Sequence, residues 1–139
     1  MDFFRSKSVD NGRHILVVED NAIDRKIVVA ALEKQGYSVE TACNGVEGLK
    51  SIENNLPEAV ILDWEMPGMG GLQMCRALKE NKKTVNIPVI FLTGLDAPTN
   101  ILDSFEADAE NFFTKPLKPK LLIKELERIF AELKNNKKE

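Results

Sequence analysis

Apolar residues in this chain come in short blocks, and two spacings alternate along it. "HILVVE" (14–19) is a continuous apolar run, the mark of a parallel strand covered on both faces. "NAIDRKIVVAALEKQG" (21–36) predicts a helix with Ile23, Ile27, Ala30 and Ala31 on its apolar side and Gly36 as its stop. "YSVETA" (37–42) predicts a short strand. "NGVEGLKSIENN" (44–55) predicts a helix on Val46, Leu49 and Ile52, with Pro57 just past it. "EAVIL" (58–62) is a second fully apolar strand, and "GLQMCRALKEN" (71–81) a helix on Leu72, Cys75 and Leu78. "IPVIFLT" (87–93) predicts a strand. "APTNILDSFEADA" (97–109) predicts a helix with a proline near its start and apolar Ile101, Leu102 and Phe105. "NFFT" (111–114) is a short strand. "LKPKLLIKELERIFAEL" (117–133) closes the chain as a helix on Leu122, Leu126, Ile129 and Leu133.

Five strands and five helices in β-α order predict an α/β fold, a single five-stranded parallel sheet flanked by five helices. The chain of 139 residues suits one domain with its own core. The expected division is a flexible N-terminal extension over 1–13, where Phe3 and Phe4 stand among polar residues, a folded domain over 14–134, and a charged tail over 135–139. A net charge of −3 and a pI of about 5.3 argue against a nucleic-acid module, so direct nucleic-acid binding is not expected. No apolar run is long enough for membrane insertion, and "MDFFRSKSVDNGR" lacks the apolar stretch of a signal peptide. Cys43 and Cys75 have no metal spacing and read as buried thiols in a reducing setting, which predicts a cytoplasmic protein.

In a parallel sheet of this kind, ligands gather outside the carboxyl ends of the strands. Those ends are chemically rich. The first strand finishes at Glu19-Asp20, the third at Asp63, the fourth at Thr93-Gly94 and the fifth at Lys115-Pro116. Glu19, Asp20 and Asp63 carry a formal −3, which Lys115 reduces to −2. Clustered carboxylates repel, and a divalent cation relieves them. An all-oxygen ligand set suits a hard ion such as Mg²⁺. One carboxylate could then attack phosphorus, with the metal, Thr93 and Lys115 neutralising the moving phosphoryl group. Taken singly, each piece has an ordinary reading. Acids after strands cap helices, Thr93 could be a turn hydroxyl, Lys115-Pro116 a plain loop and His14 a surface residue.

The combination resembles the receiver domains of two-component response regulators. "VVEDN", "LDWEMPGMGGL", "FLTG" and "FFTKP" match that family in identity, order and spacing, from about His14 to Leu133. The resemblance implies the flavodoxin-like (βα)5 receiver fold with strand order 2-1-3-4-5, for which a receiver is a standard example. It implies Asp63 as phosphoacceptor and Mg²⁺ held by Glu19, Asp20, Asp63 and the backbone carbonyl of Glu65, with Asp20 the nearer of the acidic pair. It also implies that Thr93 and Lys115 meet the phosphoryl group, that Thr93 and Phe112 form the switch, and that the bond to Pro116 is cis. The chain departs from the family pattern at Gly70, where aspartate is frequent, at Asp108, where glycine is common, and at Phe112, which lacks a tyrosine hydroxyl.

The function so implied is a phosphoacceptor signalling switch, not an enzyme with a separate substrate. It would catalyse only its own phosphoryl transfer and hydrolysis. The implied partners are a histidine kinase or histidine phosphotransfer protein, and an unknown downstream protein on the face of the fourth predicted helix, fifth strand and closing helix, around Asn100, Asp103, Phe112 and Lys118. The alternative is a degenerate receiver acting as a phosphorylation-independent interaction module. Such members usually lose an acid, the threonine or the lysine, and this chain keeps all five. A haloacid-dehalogenase-type phosphatase has similar groups, but its nucleophile precedes its acidic pair; here Glu19-Asp20 come first.

Overall fold

The computed structural model describes residues 11–94 and 107–138. Its elements are β1 (His14–Val18), α1 (Ala22–Lys34), β2 (Ser38–Ala42), α2 (Gly45–Asn54), β3 (Ala59–Asp63), α3 (Gly71–Lys79), β4 (Val89–Thr93), β5 (Asn111–Thr114) and α4 (Pro119–Lys138). All strand pairings are parallel and the order is β2-β1-β3-β4-β5, as the resemblance implies. The helix predicted over 97–109, with Ile101, Leu102 and Phe105, falls mainly outside the described residues, as do Asn100 and Asp103. Among the described residues no helix is long and apolar enough to cross a membrane.

The apolar runs are continuous because the central strands are covered on both faces. Alternate residues of β1, β3 and β4 feed two separate cores. Ile15, Val17, Ile61, Ile90 and Leu92 pack with Val28 and Leu32 of α1 and Leu122, Leu126, Ile129 and Phe130 of α4. Leu16, Val18, Val60, Leu62, Val89 and Phe91 pack with Ile52 of α2 and Met74, Cys75 and Leu78 of α3. Each such side chain, wholly withdrawn from water, stabilises the fold by about 1.5–3 kcal/mol.

Helix ends follow local chemistry. Asn21 Oδ1 accepts the Asp24 backbone N–H (2.9 Å), and Asn44 Oδ1 that of Glu47 (2.9 Å). Gly36 ends α1 at φ +89°, a left-handed position open to glycine. Asp108, in place of glycine before β5, takes φ +62°, which aspartate tolerates better than most residues.

Four expectations are corrected. The apolar side of α1 is not Ile23, Ile27, Ala30 and Ala31. Val28 and Leu32 are buried, while Ile23 is 71% and Ile27 43% exposed. This helix carries apolar residues on two stripes, and spacing alone does not choose between them. In α2, Val46 is exposed, and Gly45 and Gly48 lie buried beside Ile52. A Cβ on Gly48 would lie 2.8 Å from the end of the Met74 side chain and 3.1 Å from Val18, so α2 approaches its neighbours closely there. Cys43 is exposed, whereas Cys75 is buried, with its thiol pushed up to about 11 mainly by burial. The closing helix runs on to Lys138, past the end at Leu133 that the spacing predicts, because neither Gly nor Pro interrupts the residues after Leu133. At the other end, Asn11 and Arg13 are tied to the body. The Asn11 N–H donates to Gly36 O (3.0 Å), and the Arg13 guanidinium lies 4.2 Å above the Phe130 ring.

The start of α3 is pressed against β3. A Cβ on Gly71 would lie 2.2 Å from the Asp63 carbonyl oxygen, whereas one on Gly70 would come no closer than 3.7 Å to the Trp64 carbonyl. Gly71→Ala is therefore expected to lower stability by about 2 kcal/mol or more, and Gly70→Ala, at the N-cap of α3, by about 0.5–1 kcal/mol. Urea unfolding of both variants measures the contrast; similar midpoints would mean that α3 shifts freely.

Candidate functional site

Sheet register builds the site. Val18 of β1 lies beside Leu62 of β3, so the next residues, Glu19 and Asp63, come together at the carboxyl edge. Asp20 joins them from the following turn. Ligand oxygens of Glu19, Asp20 and Asp63 all lie within 4.8 Å of one another. Glu19 is fully buried, Asp63 nearly so, and Asp20 is exposed. Glu19 is fixed from two sides. Its Oε2 accepts the Asn21 N–H (3.1 Å), and its carbonyl accepts from Arg25 Nη1 (2.8 Å).

The turn after β3 explains why a buried strand can end in an acid. The Trp64 N–H donates to Leu92 O (2.8 Å), continuing the sheet for one more residue. The Glu65 N–H then turns back to Asp63 Oδ1 (3.3 Å). Gly68 takes φ +77°, and the Gly71 N–H closes the loop on Trp64 O (3.1 Å). The Trp64 ring packs edge-on against Phe91, with centroids 4.9 Å apart.

β4 and β5 bring the remaining groups. Thr93 ends β4 and is buried, and its carbonyl accepts the Lys115 N–H (2.8 Å). The Lys115–Pro116 bond is cis. Lys115 Nζ stands 3.0 Å from Glu19 Oε1, 3.1 Å from Asp24 Oδ2 and 3.4 Å from Asp63 Oδ1. Phe112 lies half-buried on β5, packed against the core on the α2 and α3 side of the sheet. The structure thus gathers Glu19, Asp20, Asp63 and Lys115 by measured contacts. Thr93, whose carbonyl is bonded to the Lys115 N–H, and Glu65, two residues past Asp63, stand at the same edge. Asp24 escaped the sequence reading, because an acid in the first turn of a helix ordinarily reads as a response to the helix dipole. His14 lies at the opposite end of β1, between Ser38 and Glu40.

The electrostatics are strained in the direction that a cation relieves. Burial, and then Glu19 beside it, push the Asp63 carboxyl up to about 8, although Lys115 pulls it down. Burial draws the Lys115 ammonium down, but Glu19, Asp24 and Asp63 more than reverse this and hold it above its ordinary value. Glu19 Oε1 is buried without a well-formed hydrogen bond; its contact with Lys115 is ionic. An orphaned buried carboxylate oxygen in an all-oxygen cluster fits a hard divalent ion such as Mg²⁺.

The raised Asp63 carboxyl has a consequence for stability. The folded protein holds this proton more tightly than the unfolded chain. The stabilisation is complete below about pH 4 and is lost as pH rises through about 8. Metal-free protein should therefore lose stability across that window. Asp63→Asn, which removes the titration, should flatten the slope and be more stable at pH 8 by about 1–3 kcal/mol. Denaturant unfolding at several pH values in the presence of a chelator checks this, and parallel pH slopes for the two proteins would refute it.

The sequence profile of the response regulator receiver domain matches residues 15–127. The phosphate regulon transcriptional regulatory protein PhoB of Pseudomonas aeruginosa is 35% identical over 118 residues, covering 85% of this chain and 52% of that protein. The chain thus spans about half the length of that relative. Among solved structures, a putative response regulator from Chloroflexus aurantiacus is 30% identical, with a TM-score of 0.82 over 86% of this chain and 98% of its own. The receiver domain of a signal transduction histidine kinase from Syntrophus aciditrophicus is 35% identical, with a TM-score of 0.82 over 88% and 92%.

Proposed function

This chain belongs to the response regulator receiver domain family, and on that premise we propose that it is a phosphoacceptor switch loaded at Asp63 by a phosphohistidine donor. The observation that carries the reading is the buried Asp63 carboxylate within 4.8 Å of two further acids and 3.4 Å from a lysine ammonium. The donor would be a histidine kinase or a histidine phosphotransfer protein.

An Asp63 carboxylate oxygen attacks phosphorus and a P–O bond forms. The P–N bond to the donor imidazole breaks, and the imidazole nitrogen keeps the electron pair and takes a proton from solvent. Bound Mg²⁺, on Glu19, Asp20, Asp63 and the Glu65 carbonyl, would supply charge neutralisation for carboxylate and phosphoryl oxygens. Glu19 and Asp20 hold the site anionic and Glu19, being buried, holds it rigid. Lys115 lowers the proton affinity of Asp63 and so favours the reactive carboxylate. Its ammonium and the Thr93 hydroxyl then meet the new phosphoryl charge. The domain turns over no separate substrate. Hydrolysis of the acyl phosphate returns it to rest.

Incubation with Mg²⁺ and acetyl phosphate, followed by mass analysis, tests the acceptor. The wild-type chain should gain one phosphoryl group on Asp63, and Asp63→Asn should remain folded and gain none. Labelling of that variant at the wild-type level would displace Asp63 from the role. An intact, Mg²⁺-binding wild type that never labels would favour the alternative, a phosphorylation-independent interaction module.

Output follows from Thr93. Drawn towards a doubly charged phosphoryl group by a charge-assisted hydrogen bond, it leaves space behind β4. Phe112 is half-buried beside that strand, across from Phe91 in the sheet register, and can turn further inward. Burying more of its ring contributes about 1–2 kcal/mol, enough to shift a two-state equilibrium by roughly tenfold. The downstream partner would read the face formed by the segment predicted as a helix over 97–109, with β5 and α4. NMR shifts induced by Mg²⁺ and beryllofluoride should extend from the Asp63 loop to Phe112 and Lys118. Shifts that stop at the loop would count against this switch.

A further inference from the structure

Lys115 reaches beyond the acidic cluster to a carboxylate that lies outside it. Its Nζ is 3.0 Å from Glu19, 3.1 Å from Asp24 and 3.4 Å from Asp63. One ammonium charge is thus shared by ionic contact among three carboxylates. Asp24 sits in the first turn of α1, where an acid usually serves the helix end. Here that work is done by others. The N-cap is Asn21, whose Oδ1 takes the backbone N–H of Asp24. The Asn21 N–H, which an acid at the position of Asp24 would accept in a capping box, goes to Glu19 Oε2. The Asp24 carboxylate is directed to Lys115 instead.

We propose that Asp24 is a positioning residue that holds the Lys115 ammonium on the α1 side of the acidic cluster and competes for it with a phosphoryl group on Asp63. The proposal rests on the phosphoacceptor reading. New anionic oxygens on Asp63 draw the ammonium towards them and away from its more distant partners. Its contact with Asp63 passes to the phosphoryl group attached there. Of the other two partners, the Glu19 side chain is 0% exposed and the Asp24 side chain 33%. Glu19 lies beside Asp63 in the acidic cluster, so a shift of the ammonium towards a group on Asp63 need not part it from Glu19, whereas Asp24 lies outside the cluster and water can solvate it. Asp24 is therefore the partner released, and the strength of its hold sets how readily the phosphorylated arrangement forms. A neutral asparagine of the same shape keeps the backbone cap of α1 and loosens that hold.

Titration with beryllofluoride at saturating Mg²⁺, read by Trp64 fluorescence, tests this in wild type, Asp24→Asn, Asp24→Glu, Lys115→Ala and the Asp24→Asn/Lys115→Ala double variant. Asp24→Asn should bind about three- to tenfold more tightly than wild type. Asp24→Glu, which keeps the charge, should stay within about twofold of wild type. In the Lys115→Ala background, Asp24→Asn should change affinity by less than about twofold, because the residue it acts through is gone. A second readout needs neither metal nor phosphoryl mimic: the NMR signal of the Lys115 ammonium in metal-free protein should move on Asp24→Asn. Equal affinities for wild type and Asp24→Asn overturn the proposal. So does an equal gain in the Lys115→Ala background, which would mark a through-space charge effect. If wild type fails to respond to Mg²⁺ and beryllofluoride, the phosphoacceptor reading fails. The ammonium signal then decides the tether by itself, and an unmoved signal overturns it.

Discussion

Two parallel strands that lie side by side end in acids, and the rest of the site answers that crowding. Once β1 and β3 pair with Val18 beside Leu62, Glu19 and Asp63 cannot avoid each other. Water cannot separate their charges, because both side chains are buried. The molecule resists with a raised proton affinity at Asp63 and with the ammonium of Lys115, drawn across from β5. Both are incomplete remedies, since Glu19 Oε1 remains without a proper hydrogen bond. A site in this condition gains from any cation that enters, and it is altered when the charge on Asp63 changes.

The fold sustains this because the strain is concentrated on a stiff support. The strands below the acids are buried on both faces and feed two cores, so neither Glu19 nor Asp63 can retreat by bending its strand. The loop beyond Asp63 is pinned by hydrogen bonds to Leu92 and Trp64, and by the close approach of Gly71 to the Asp63 carbonyl. Freedom is left to the side chains at the edge. Lys115 is partly exposed, and its backbone is bonded to Thr93, so the cation and the hydroxyl are joined through one hydrogen bond between β4 and β5. Phe112 belongs to the second of these strands.

Asp24 extends the same logic to α1. A lysine with three carboxylate partners is not simply a counter-charge for one of them; its position is a compromise among strands β1 and β3 and the first turn of α1.

Much of this was legible in the chain itself. The unbroken runs over Ile15–Val18, Ala59–Leu62 and Val89–Leu92 announced buried parallel strands, because only strands covered on both faces tolerate such runs. Strand-helix alternation then brought Glu19, Asp20, Asp63, Thr93 and Lys115 to one edge without coordinates, since every parallel strand ends on the same side. What composition and spacing could not decide were choices among equivalent local patterns. Helix α1 offers two apolar stripes, and only the neighbouring sheet and α4 select Val28 and Leu32 over Ile23 and Ile27. Cys43 looks as apolar in context as Cys75, yet only Cys75 lies under another element. Asp24 reads locally as a helix-end acid, and its tie to Lys115 spans most of the chain. Side-chain periodicity reports which way a residue faces within its own element. Which residue of another element meets it there is set by tertiary packing, and so the acidic edge could be read from the sequence while the hold on its lysine could not.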